Sequence, residues 1–412
     1  MDTYLIDSHA HLDSRQFADD LDAVLQRARD NRIHNIISIG CDLESSRANV
    51  KLAAQHAEIF AAVGIHPHDA TQLDSTAMEL LTLLASQNDK VVAIGEVGLD
   101  YYRDRSPRNV QQQAFRRQIQ LARELGKPLI VHDRDAHEDV LAVLREEDAA
   151  ATGGVLHCFS GDLEMAREVI DLGFYLSFTG TITYPKNQPL REMIKSLPME
   201  ALLVETDCPY LAPHPYRGKR NEPAHVRTTA EALAEIKGLS LADVARITSL
   251  NCHKLFGIGA VDLGSKITYQ IRDSLYLNIT NRCTNSCRFC AKFKDFTVKG
   301  HQLALPHEPA IEDVIAAIGD PTRYKEVVFC GYGEPLLRLE LVKELATWLK
   351  QHGVKVRINT DGQANLVYRR NIIPELVGLV DSLSVSLNAA DPVTYQKWCQ
   401  SEFGEAGYLA VK

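Results

Sequence analysis

Short runs rich in Val, Ile, Leu and Ala alternate along the chain with longer segments whose apolar residues recur every three or four positions. The runs predict strands at 4–7, 35–40, 59–65, 91–96, 128–132, 154–158, 174–179 and 201–206. Helical patterns lie between them. The stretch from Gln111 to Leu125 stops at Gly126, with Pro128 just beyond, as a helix with a glycine terminus does. Strands alternating with helices predict parallel pairing. Eight such units in about 258 residues fit a (β/α)8 barrel, whose catalytic groups come from the C-terminal ends of the strands. Periodicity alone does not separate a closed barrel from an open doubly wound sheet. The count of eight and an inward-facing His-x-His favour the barrel. A helix over 241–255, stopped at Gly257 and Gly259, closes this pattern, and residues 259–265 read as a linker. A second α/β pattern fills 266–412, with strands at 274–280, 326–330, 354–359 and 382–387 and helices near 309–318, 338–351 and 391–399. Two domains, 1–258 and 266–412, suit a chain of 412 residues.

The polar residues that end the apolar runs carry the chemistry. His9 and His11 close the first run, and in an extended strand residues two apart share a face. Glu96, His132, His157 and Asp207 each follow a later run. A lone histidine at a strand end is more often a buried, satisfied imidazole than a ligand. Six candidate ligands at the same ends of their strands are hard to explain as structure alone, because burying that much charge without a metal is costly. Imidazole and carboxylate donors suit Zn²⁺, Mn²⁺ and Mg²⁺. Five or six donors exceed what one tetrahedral ion takes, so a pair of ions bridged by Glu96 is the simpler expectation. Two such ions clamp the attacking and leaving oxygens of a phosphodiester. Asp207 is the candidate to hold or deprotonate the water. Glu205, two residues earlier on the same predicted strand face, is the candidate to orient a ligand.

Asp-Ser-His-Ala-His-Leu-Asp at 7–13, Gly-Ile-His-Pro-His at 64–68 and Gly-Glu-Val-Gly-Leu-Asp-Tyr-Tyr at 95–102 resemble segments of the TatD family of metal-dependent deoxyribonucleases. Gly-Lys-Pro-Leu-Ile-Val-His-Asp-Arg-Asp-Ala at 126–136, His-Cys-Phe-Ser-Gly at 157–161 and Glu-Thr-Asp-Cys-Pro-Tyr-Leu at 205–211 complete the resemblance. It implies a TIM barrel of amidohydrolase type and hydrolysis of DNA from a 3′ end, single strands being the expected substrate. It also implies that His9, His11, Glu96, His132, His157 and Asp207 are the metal ligands. His66 and His68 either touch substrate or a third ion, or are polar residues of the mouth; the two readings stand level. Arg103, Arg105, Arg134, Arg217, Lys219 and Arg220 fall in loops after predicted strands and could hold phosphates, or be solvated surface charges. Tyr101, Tyr102 and Tyr210 could stack on bases, or pack under the loops.

The second pattern carries Cys283, Cys287 and Cys290 as C-x3-C-x2-C after a predicted strand. Three thiolates can hold three corners of a [4Fe–4S] cluster and leave one iron open. A zinc site is the competitor and needs a fourth ligand; the nearest later cysteine is Cys330. The motif resembles the radical SAM family, in which the open iron binds S-adenosylmethionine. That resemblance extends to Gly331-Tyr332-Gly333-Glu334-Pro335, like the family segment that receives the methionine amine. Asn359-Thr360-Asp361-Gly362 and Ser384-Val385-Ser386-Leu387-Asn388 look like ribose-side segments, and Phe289 takes the aromatic position beside adenine. The resemblance thus implies cofactor contacts from Phe289, Gly331, Gly333, Glu334, Asn359 and Ser386. The family's partial barrel usually has six strands and four are counted here, so the domain reads as incomplete at its C-terminus.

Composition excludes other classes. No apolar run reaches the 18 or so residues a membrane helix needs, and the Met1-Asp2-Thr3-Tyr4 start lacks the basic opening of a signal peptide. Nine cysteines, an odd number, without an export signal predict reduced thiols or metal ligands, and so the cytoplasm. A net charge of −9 argues against a broad duplex footprint and leaves room for end-on contact with a few phosphates. Two alternatives remain at this level: an amidohydrolase of small amides, lactones or phosphoesters on the same barrel, and an Fe–S segment that serves only to dock a partner. Protein partners are not legible.

Overall fold

In the computed structural model, which describes residues 4–260, 262 and 264–412, the chain forms two compact units, Met1–Val261 and Asp262–Lys412. Met1-Asp2-Thr3, read above as the start of the chain before its first strand, and Val261 and Leu263 of the linker lie outside the described residues.

The first unit is an eight-stranded parallel sheet in sequence order: β1 (Leu5–Ala10), β2 (Ile33–Ile39), β3 (Ile59–Val63), β4 (Val91–Asp100), β5 (Leu129–Arg134), β6 (Gly154–Leu156), β7 (Phe174–Phe178) and β8 (Leu202–Val204). Just past β8 the sheet curls back onto β1. Ala10 bridges Cys208 in parallel, Asp207 N donates to His9 O (2.9 Å) and His11 N to Cys208 O (2.8 Å). The result is a nearly closed α/β barrel. Between strands the chain forms helices whose ends are chemically marked. Asp42 accepts from Ser45 N (2.7 Å) at the start of the helix Leu43–Gln55. Gly126, at φ 61°, ends the helix Arg108–Leu125.

Two apolar layers follow from strand alternation. Outward residues such as Leu5, Ile36, Val63, Val131 and Leu176 pack under the helices. Inward residues, among them Ile130, Val155 and Leu203, meet Cys252 and Phe256 of the last helix, Leu241–Phe256. These three stand two positions before His132, His157 and Glu205, which is the inward parity of a strand. The barrel thus has an apolar floor below a polar mouth.

β4 is longer than its apolar run predicted. The run ends at Gly95, yet the strand continues to Asp100, because pairing with β5 resumes at Val97 after an irregularity following Ile94. Glu96 and His132 therefore lie inside strands rather than at their ends. A Cβ on Gly98 would come 2.0 Å from His132 O; only glycine permits this approach of β4 to β5.

In the second unit a hairpin of β9 (Thr268–Ile271) and β10 (Ser274–Leu277) leads to a small antiparallel ribbon, β11 (Thr297–Val298) with β12 (His301–Gln302). β13 (Glu326–Phe329), β14 (Val356–Thr360) and β15 (Ser382–Val385) then add in parallel, giving the order β15-β14-β13-β10-β9. The four parallel strands are the predicted ones; β9 and the ribbon were not foreseen, because runs of two to four residues carry little periodicity. Helices Ile311–Ile318 and Leu339–Gln351 cover a core built around Leu277, Phe329, Ile358, Val342 and Leu345. Among the described residues no helix is long and apolar enough to cross a membrane.

Candidate functional site

The polar mouth of the barrel gathers two sets of donors around one carboxylate. Glu96 Oε2 lies 3.5 Å from His9 Nε2 and 3.8 Å from His11 Nε2. Asp207 Oδ1 completes this set at 3.3 Å from His11 Nε2 and 3.7 Å from His9 Nε2, and the two imidazole nitrogens are 3.3 Å apart. The other oxygen, Glu96 Oε1, lies 2.8 Å from His132 Nδ1 and 2.9 Å from His157 Nε2, which are 3.2 Å from one another. Donors bound at about 2.0–2.2 Å to a common ion sit roughly 2.9–3.6 Å apart. Both sets have nearly those edges, and they share Glu96. His9-His11-Glu96, His66-Glu96-His132 and His9-His157-Glu205 are each close enough to hold an ion.

Local backbone geometry makes this convergence possible. β8 stops at Val204, and Asp207 adopts a left-handed conformation (φ 55°), as does Cys158 (φ 45°) beside His157. The strand-face argument that grouped Glu205 with Asp207 therefore does not describe them. Glu205 points instead to Cys158 N (2.7 Å) and stands 3.5 Å from His157 Nδ1. Among the described residues, His9 Nδ1, His157 Nδ1 and Glu205 Oε2 are buried without a hydrogen-bond partner.

The electrostatics favour an anionic bridge. Burial would raise the Glu96 carboxyl, but His157 and His66, with hydrogen bonds from His132 and His157, outweigh it and hold the group well below the usual carboxylate range. Burial likewise opposes ionisation of Asp207, and the hydrogen bond from His11 with the charge of His9 wins, so its pKa is lowered. Burial dominates at His66 and pushes it down to about 4.

Asp100 is a residue the sequence reading missed. It is fully buried, and its Oδ2 lies 3.1 Å from His132 Nε2 and 2.9 Å from His68 Nε2. Its Oδ1 accepts from Arg103 N (2.7 Å). The signal was present in Gly-Leu-Asp-Tyr-Tyr, but the predicted strand ended before it. His66 stands 3.5 Å from Glu96 Oε1, at the edge of the second set, while His68 is tied to Asp100.

The loop charges divide into two kinds. Arg103 and Arg134 both lie over the ring of exposed Tyr102, at 5.5 and 4.0 Å from its centroid. Arg217 lies over Tyr184, and Arg105 and Lys219 are exposed. Arg220 instead pairs with Asp20 (2.8 and 2.7 Å) and covers Phe17, so it braces the wall. Tyr101 also turns inward, donating to Asp139 (2.7 Å), whereas Tyr210 is exposed and meets the His11 ring edge-on.

In the second unit, Cys283, Cys287 and Cys290 share one loop, half-buried, with Cys287 feeling the charges of the other two. Cys330 follows β13, and its N donates to Leu277 O (3.0 Å). Gly331 and Gly333 fit where a Cβ would strike Asn278 Oδ1 (2.2 Å) and Thr280 O (2.1 Å). Glu334 is buried and accepts from Leu336 N (2.9 Å), Thr360 Oγ1 (2.9 Å) and Asp361 N (2.6 Å). Burial, with Asp361 nearby, raises Glu334 to about 8. Asp361 in turn accepts from Thr284 in the cysteine loop. Asn359 accepts from Arg357 (2.7 Å), Ser386 follows β15, and Phe289 is exposed.

Comparison with known proteins agrees with this division. Residues 6–257 match the family model of TatD-related DNases, and residues 277–404 that of the radical SAM superfamily. A Bacillus subtilis metal-dependent hydrolase, YabD, is 44% identical over 254 residues, covering 62% of this chain and 99% of that protein. A Shigella flexneri protein named as a 3′-5′ ssDNA/RNA exonuclease, TatD, is 38% identical over 259 residues, covering 62% of this chain and 99% of its own length. Among solved structures, the Escherichia coli TatD homologue YjjV superposes with a TM-score of 0.59 at 32% identity, covering 62% of this chain and 98% of its own.

Proposed function

The chain belongs to the TatD-related DNase family and is a metal-dependent hydrolase with a radical SAM domain after its barrel, and on that premise we propose that it removes nucleotides from the 3′ ends of single-stranded DNA. The observation that carries this reading is the split of Glu96: one oxygen faces His9, His11 and Asp207, the other His132 and His157. We take these six as ligands of two divalent ions, Mg²⁺, Mn²⁺ or Zn²⁺. When bound, such a pair lowers the pKa of a water and neutralises phosphodiester charge.

The chain's own residues do the rest. Asp207 holds the water and takes its proton. Glu205 steadies His157 and Asp100 steadies His132, each from behind the ring. The Arg103–Tyr102–Arg134 stack offers a base platform flanked by phosphate-binding guanidiniums, and His66, His68 and Arg217 line the approach to it. The exonuclease named among the relatives acts on RNA as well as DNA, so both are substrates to test. The purified chain, stripped of metal and assayed on 3′-labelled single strands with Mg²⁺, Mn²⁺ or Zn²⁺ restored singly, tests the reading. Release of mononucleotides only on metal addition supports it; metal-independent release, or none with any ion, counts against it.

For residues 266–412, we assign Cys283, Cys287 and Cys290 to a [4Fe–4S] cluster. The donor set fits: three thiols on the loop after β10 and a buried carboxylate, Glu334, after the neighbouring strand β13. Phe289, Gly331, Gly333, Asn359 and Ser386 would line the S-adenosylmethionine site beside it. The nine free thiols favour a reducing compartment, the cytoplasm.

A further inference from the structure

The cysteine loop is stitched along its backbone to residues 398–402, at the end of the helix Pro392–Cys399. Arg288 N donates to Trp398 O (2.9 Å), Ser286 N to Cys399 O (3.0 Å) and Glu402 N to Thr284 O (3.0 Å), and Asn285 bridges Ser401. This ladder brackets Cys287 on one side and Cys399 on the other. A buried polar hub holds the two segments from below. Asn285 Nδ2 donates to Tyr395 Oη (3.2 Å), Gln363 Nε2 to Asn285 Oδ1 (2.9 Å) and Ser401 Oγ to Gln363 Oε1 (2.6 Å). Cys399 is fully buried among Tyr395 and Tyr408, and Cys287, half-buried, packs against this group; two residues along from the antiparallel Asn285–Ser401 bridge, the ladder sets Cys287 opposite Cys399.

We propose that Cys287 and Cys399 form a reversible dithiol–disulfide pair, in which a thiol outside the C-x3-C-x2-C motif closes off one of its three members. Exposure sets the order of events. The Cys287 thiol, the more accessible of the two, gives up its proton as its sulfur attacks a small disulfide such as oxidised glutathione, forms a mixed disulfide and releases one glutathione thiol. Cys399, held opposite by the ladder, then attacks the Cys287 sulfur and displaces the second glutathione thiol. Two electrons pass from the protein dithiol to the external disulfide, and the two protons end on the released thiols. Because the ladder fixes the two segments, closure asks only that two opposed side chains bring their sulfurs to about 2.05 Å. The bridge would leave two loop thiols, too few for the three protein-bound corners of a cluster. The pair therefore makes loading of the loop conditional on reduction. If Cys399 is only a packing residue of the core, no such bridge forms.

The full chain, freed of iron by anaerobic chelation, is exposed to oxidised glutathione, blocked with N-ethylmaleimide and cut with trypsin. Cleavage after Arg282, Arg288 and Lys397 yields the peptides 283–288 and 398–412. We expect these two joined, with fragmentation placing the bridge at Cys287, and released by dithiothreitol. Cys399→Ala and the nearly isosteric Cys399→Ser should instead keep one glutathione on Cys287. A bridge from Cys287 to Cys283 or Cys290, a bridge from Cys283 to Cys399, or a wild-type chain that retains glutathione on Cys287 or keeps all its thiols would each overturn the proposal.

Discussion

His132 turns Nε2 toward Asp100, 3.1 Å from Oδ2, and so presents Nδ1 to Glu96 at 2.8 Å. The pairing fixes which nitrogen faces the centre and makes that nitrogen a better donor. Asp100→Asn should lower metal affinity by about 10–100-fold, the usual cost of losing such a partner, with the fold intact. Calorimetric titration of the metal-free variant with Zn²⁺ checks this; unchanged affinity would remove Asp100 from the site.

Asp207→Asn keeps an oxygen that can coordinate but cannot take a proton from water. Turnover should fall by about 10²–10⁴-fold, while the metal content of the variant stays near that of the parent. Turnover within a few-fold of the parent would rule out the base role.

A few aromatic–guanidinium stacks, such as Arg134 over Tyr102, on a chain of net charge −9, suit a strand end better than a long duplex. Linear single strands should be degraded from the 3′ side, and a circular single strand of the same sequence should survive. Comparable rates on the circle would contradict end-dependence.

Arg220 separates bracing from binding. Since it is paired with Asp20, Arg220→Ala should lower thermal stability and leave KM for oligonucleotides unchanged. The hydrogen bond from Arg220 holds the Asp20 carboxyl below its usual value. Its contribution is therefore full above the unfolded-state pKa near 3.9 and is lost as pH falls through the lower folded-state value. The stability gap between variant and parent should close in strong acid. A raised KM with unchanged melting would return Arg220 to the substrate contacts.

The six proposed metal ligands all lie in the first unit and the loop thiols in the second. Anaerobic loading with iron and sulfide should give an oxygen-sensitive cluster, and replacing Cys283, Cys287 and Cys290 together with alanine should abolish it. DNA hydrolysis by the same triple variant should match the parent. Stoichiometric zinc in place of iron, or loss of hydrolysis in the folded variant, would overturn this division.

Alternating strand and helix patterns determined a parallel α/β unit, and the count of eight with an inward-facing His-x-His favoured the barrel over an open sheet. Part of the polar mouth was legible too: His132, His157 and Glu205 each follow Ile130, Val155 and Leu203 by two positions, the period of one strand face. What lay beyond the sequence is what depends on register and on distant partners. The irregularity after Ile94 carries β4 on to Asp100 and brings that carboxylate to His132, thirty-two residues away. The left-handed turn at Asp207 aims its carboxylate at His11 across the closing seam of the barrel. Arg220 looked like any other loop cation until folding set it against Asp20, and Cys399 had no motif to mark it beside Cys287. Periodicity reports which face of an element is buried; only the packed chain decides which two side chains, far apart in sequence, meet on that face.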